Sequence, residues 1–63
     1  MRRFYFDKGT PRALALTTIS SALEDEGLVL VHEWVGGPRV KSFRDGAYDM
    51  YVVPASMIER NGG

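Results

Sequence analysis

The chain contains no cysteine and only one histidine, His32. No disulfide can staple it, no thiolate can hold a metal, and a single imidazole does not make a zinc site. Charge of neither sign predominates: eight Lys and Arg stand against eight Asp and Glu. Such a balance argues against a general electrostatic grip on nucleic acid and equally against an acidic mimic of DNA. Long apolar runs are missing too. Leu28 to Val31 is far shorter than a membrane span, and no signal peptide opens the sequence, so the expected compartment is the cytoplasm and no membrane partner is expected. There is no internal repeat and no low-complexity tract.

The short length gives these absences their weight. A chain of 63 residues holds one domain and buries only about 60% of its unfolded surface. With disulfides and metal unavailable, self-association is the remaining common source of stability, and a homodimer is expected. The domain is expected to occupy residues 1–60, with 61–63 a frayed tail.

The clearest local signal runs from Thr10 to Gly27. Thr10 is placed to cap a helix, Pro11 suits its first position, and Gly27 suits the left-handed residue that ends it. Ala15, Leu16, Ile19, Ala22 and Leu23 recur at helical spacing and form one apolar stripe. Leu14 falls off that stripe, either exposed or packed against another element. Charges at both ends oppose the helix dipole. Arg12 lies in the first turn, and Glu24, Asp25 and Glu26 lie in the last. These are either solvated charges with a small penalty or, for the acidic cluster, groups kept to meet a basic partner.

Around the helix the sequence reads as strands. Met1–Phe6 alternates, with Phe4 and Phe6 on one face and Arg3 and Tyr5 on the other. Leu28–Val35 is apolar on both faces, with Leu28, Leu30, His32 and Trp34 on one and Val29, Val31, Glu33 and Val35 on the other. A strand with one face in water alternates more cleanly, so the second face is expected to be covered by another copy or a partner. Gly36-Gly37-Pro38 is a turn, and Arg39–Arg44 reads as a polar edge strand blunted by Arg39, Lys41 and Arg44. Asp45-Gly46 marks a tight hairpin. Ala47–Val53 sets Tyr48, Met50 and Val52 on one face and Asp49, Tyr51 and Val53 on the other, and Pro54 ends it. Ala55–Arg60 reads as a short helix.

The expected fold is therefore α+β, a two-layer βαβββ(α) arrangement with one amphipathic helix packed on a small, mainly antiparallel sheet. The three consecutive strands should form a meander. The first strand should lie parallel to one of them through a right-handed helical crossover.

Catalytic signals are weak. His32 and Glu33 point to opposite sides of a strand and cannot form a dyad, and no Ser has a nucleophile setting. Gly36-Gly37-Pro38-Arg39 lacks the lysine and following helix of a phosphate loop. Asp7 and Asp45 are explained as turn formers. The expected function is non-catalytic and free of cofactors. It is a self-associating protein-binding module, with Glu24, Asp25, Glu26, Val29, Val31, Trp34 and Tyr51 as candidate partner-binding residues, the aromatic ones as anchors. The alternative is a small nucleic-acid-binding protein that uses Arg3, Tyr5, Arg39 and Lys41 to hold phosphates and stack bases. In size and architecture the chain resembles many phage-encoded inhibitors of bacterial defence, anti-CRISPR proteins among them. That resemblance implies inhibition of a host protein complex and assigns no residue a role.

Overall fold

A computed structural model describes residues 1–31, 33 and 39–61. Strand β1 (Arg2–Asp7) leads through a turn to helix α1 (Arg12–Asp25). Then follow β2 (Leu28–Leu30), β3 (Lys41–Asp45), β4 (Tyr48–Val53), a 3-10 turn at Ala55–Met57 and β5 (Ile58–Arg60). The fold is α+β, one helix packed with antiparallel strands in two small sheets, ordered β1-β4-β3 and β2-β5. Among the described residues no helix is long and apolar enough to cross a membrane.

The helix buries the expected stripe: Ala15, Leu16, Ile19 and Leu23 are core residues, while Leu14 points to solvent. They meet Leu30, Val40, Tyr51, Val53 and Met57, with Phe4, Phe6, Leu28 and Ile58 packed around them. Thr10 does not cap the helix. Its hydroxyl and its N–H both donate to the Asp7 carbonyl, at 2.6 and 3.0 Å, closing the turn out of β1. The N-cap is Pro11, with extended backbone and no side-chain acceptor. At the other end Gly27 takes a φ of +76°, the left-handed conformation that stops the helix.

Three expectations about the sheet are corrected. First, β1 is antiparallel to β4 rather than parallel to a neighbour, with Arg2 opposite Val53 and Asp7 opposite Tyr48. A parallel crossover requires the strand after the helix to join the same sheet, and β2 does not. Second, β2 spans only Leu28–Leu30 and pairs with β5, so the meander is a β3–β4 hairpin rather than three strands. One bond continues the pairing past Leu30, with Val31 N–H donating to the Met57 carbonyl in the same register, and Glu33 then lies in a turn. The remaining positions expected in that strand, His32, Trp34 and Val35, lie outside the described residues, as does the turn at 36–38. Third, the short helix expected over Ala55–Arg60 is confined to one 3-10 turn at Ala55–Met57, with Met57 buried, and Ile58–Arg60 is instead strand β5. Six residues gain too few helical hydrogen bonds to offset nucleation, whereas β2 offers a strand edge to pair with.

The hairpin between β3 and β4 turns at Gly46, whose φ is +64°. A side chain there meets no neighbouring atom, so the cost of Gly46→Ala is conformational alone. Replacement is expected to destabilise the protein by about 1 kcal/mol, read from urea unfolding.

Candidate functional site

The pairing registers sort the three-stranded sheet into two faces. The inner face carries Phe4 and Tyr51 in one row and Phe6 in the next, and the helix covers it. The outer face carries three rows across the strands. Arg3, Val52 and Lys41 form the first, Tyr5, Met50 and Phe43 the second, and Asp7, Tyr48 and Asp45 the third. Its charge is thus graded from a basic end, through an apolar and aromatic middle, to an acidic end.

No described element covers this outer face. Tyr5, Phe43 and Tyr48 are each about half exposed, at 53, 50 and 50%. Tyr5 and Tyr48 meet edge to face, with ring centroids 6.5 Å apart, which orders both rings on the surface. At the basic end lies an open depression of about 680 Å³ with a predominantly apolar lining. Val52, Met50 and Phe43 form its floor, Met1 and Pro54 close one end, and Arg3, Arg39 and Lys41 supply the charge. The arrangement offers apolar area, flat rings and a cationic border, which suits binding rather than bond-breaking.

A second cluster fixes the chain beside the sheet. The Glu33 carboxylate is only 1% exposed. It accepts the Val40 N–H at 2.7 Å and an Arg12 guanidinium N–H at 2.6 Å. The same Arg12 nitrogen donates to the Val40 carbonyl at 2.8 Å, and the guanidinium stands 5.9 Å from the centre of the Tyr51 ring. Arg39 approaches Glu33 at 3.7 Å. Burial pushes the Glu33 carboxyl up, but the Val40 N–H and the Arg12 and Arg39 charges outweigh it and hold the group below its ordinary value of 4.5. Arg12 is therefore not a solvated charge at the wrong end of a helix. It ties α1 to the segment that leads into β3.

Of the expected protein-binding residues, Glu24 and Asp25 are exposed. Glu26 pairs within the chain: Arg2 grips both its oxygens, one at 3.0 Å, and that hydrogen bond holds the carboxyl below its usual range. Val29 and Val31 are half-buried. Tyr51 is a core residue, 4% exposed and edge-on to Phe6 at 5.4 Å, so its ring is not presented to a partner. Trp34 lies outside the described residues. The nucleic-acid set fares differently. Arg3, Arg39 and Lys41 border one depression, and Tyr5 lies in the row beside it on the same face. Phe43, Met50, Tyr48 and Val52 complete that surface and were not among the expected site residues. Comparison with protein-family models, with curated proteins and with solved structures gives no match.

Proposed function

We propose that this protein is a non-catalytic, self-associating binding module that works through the outer face of the β1-β4-β3 sheet. The observation that carries the reading is the uncovered row of Tyr5, Met50 and Phe43, with Tyr48 and Val52 beside it. Exposed aromatic rings packed beside aliphatic side chains are the usual anchors of a protein interface, and a charged border sets orientation. The proposed compartment is the cytoplasm. The proposed role, on size and architecture alone, is that of a small inhibitor of a host protein complex, as phage-encoded inhibitors and anti-CRISPR proteins are.

The test compares capture from a bacterial lysate by the wild type and by a Tyr5→Ser/Phe43→Ser variant. A partner retained by the wild type and by Glu24→Gln/Asp25→Asn, but lost by the outer-face variant, supports the reading. A partner lost only when the acidic pair is neutralised overturns it in favour of the helix end.

A second reading is favoured by one observation: three cationic side chains line the depression with Phe43, and Tyr5 lies in the neighbouring row of the same face. That combination fits single-stranded nucleic acid, with phosphates on Arg3, Arg39 and Lys41 and bases on the rings. Asp7 and Asp45 at the far end of the face oppose it. Titration with single-stranded RNA and DNA at two salt concentrations separates the readings. Affinity that falls steeply with salt, and falls further in Arg39→Ala and Lys41→Ala, selects nucleic acid.

A further inference from the structure

We propose that a second copy of this chain pairs with the free edge of β3, antiparallel, in the register that sets Phe43 opposite its own counterpart. The inference rests on the reading that the chain self-associates, and it adds which strand does so and in what alignment.

The edge is open. β3 ends the sheet, all five of its residues are exposed, and among the described residues nothing hydrogen-bonds to its outer side. Which groups point outward follows from the ladder. Lys8 N–H donates to the Ala47 carbonyl, so alternate β4 residues from 47 onward bond toward β1, and Tyr48, Met50 and Val52 bond toward β3. Their partners Asp45, Phe43 and Lys41 therefore turn their backbone inward. Ser42 and Arg44 turn theirs outward.

Those two residues fix the register of an added strand. With Ser42 opposite Arg44 of the second copy, and the reverse, each pair exchanges two backbone hydrogen bonds. Phe43 then meets its counterpart at the non-hydrogen-bonded position between them, where side chains across the ladder come closest. In the same register Lys41 faces Asp45 of the other copy, and Asp45 faces Lys41. The sequence Lys-Ser-Phe-Arg-Asp is thus complementary to itself in charge about its central ring. The half-exposed Phe43 ring is covered, and the middle row runs from Tyr5 through Met50 and Phe43 into the same row of the second copy. The pairing is two-fold and uses each β3 edge once, so it closes as a dimer. The charges that blunt this edge against an arbitrary strand do not blunt it against itself.

The edge of β1 has a similar pattern, with Arg3 and Asp7 on either side of Tyr5. It is the weaker candidate for two reasons. Tyr5 carries a hydroxyl that water satisfies, whereas Phe43 has no polar atom. β1 also commits Phe4 and Phe6 to the core, and its Arg2 to Glu26.

Sedimentation equilibrium supplies the test, with thermal melting of each variant as a check of folding at these exposed positions. Lys41→Asp and Asp45→Lys each set like charges against each other in both outer pairs, and each is expected to weaken the dimer about tenfold. An equimolar mixture of the two variants restores opposite charges and is expected to recover wild-type affinity as a heterodimer, as is the double variant by itself. Because the chain has no cysteine, Phe43→Cys is expected to form an interchain disulfide on mild oxidation and Tyr5→Cys is not. A wild type that stays monomeric at millimolar concentration overturns both this pairing and the self-association it rests on. A dimer indifferent to the charge exchange, or cross-linked through Tyr5→Cys instead, overturns the β3 pairing and leaves self-association standing.

Discussion

Glu33→Ala is expected to remove about 3 kcal/mol of folding stability, a third or more of the total for a domain of this size. A chain of 63 residues has roughly 3–9 kcal/mol in all, at about 0.05–0.15 kcal/mol per residue. The variant takes the acceptor from the buried Val40 N–H and the counter-charge from Arg12 in one step. Each group left without a partner carries its own desolvation penalty. Among the described residues no acceptor meets the buried Nε of Arg12. Urea unfolding measures the loss directly. Glu33→Gln keeps the volume and an acceptor oxygen, and its loss is expected to be the smaller one.

The same pair sets a pH dependence. The Glu33 carboxyl is held below 4.5 in the folded chain, so the folded state binds its proton less readily than the unfolded state does. The stabilisation is complete above the unfolded value and disappears as pH falls through the folded one. Wild-type stability is therefore expected to decline as pH drops below about 4.5. Glu33→Gln should flatten that part of the profile, because its side chain does not titrate.

The second large effect is expected in the core. Leu23 is fully buried on the last turns of α1. Leu23→Ala removes its transfer free energy and leaves a cavity, together worth about 3 kcal/mol. In a domain of this size the melting temperature should fall by about 15 °C, read by circular dichroism. Leu14→Ala on the exposed side of the same helix deletes a similar side chain and is expected to change stability by less than about 0.5 kcal/mol. The contrast between the two leucines tests the assignment of the helix faces.

The sequence makes some of this architecture legible and hides the rest. Local patterns read well. The stripe from Ala15 to Leu23, the stop at Gly27, the hairpin at Asp45-Gly46 and the two faces of β1 and β4 all follow from short-range periodicity. Long-range pairing did not follow. Nothing near Leu28 indicates that β2 will leave the main sheet for β5, because the partner strand lies about thirty residues away and reads equally well as helix. Arg12 misleads for a related reason: against its own helix it is a misplaced charge, and only the fold brings Glu33 and Val40 to it. The candidate surface was legible in fragments. Alternation places Arg3 and Tyr5 on one side of β1, and Tyr48, Met50 and Val52 on one side of β4. Only the register shows these to be one face, shared with Phe43 and turned away from the helix. The apolar excess of Leu28–Val35 points to a different surface, where Val29 and Val31 are half-buried, while Leu30 on the opposite face lies in the core.

The most direct test that the outer sheet face is the working surface is to follow the backbone and side-chain NMR shifts of the wild type from micromolar to millimolar concentration. Shifts concentrated along β3 and the row beside it on the outer face, at Lys41, Ser42, Phe43, Arg44 and Met50, are the expected result. Shifts concentrated at Glu24, Asp25, Val29 and Val31, or a spectrum unchanged over the whole range, would contradict it.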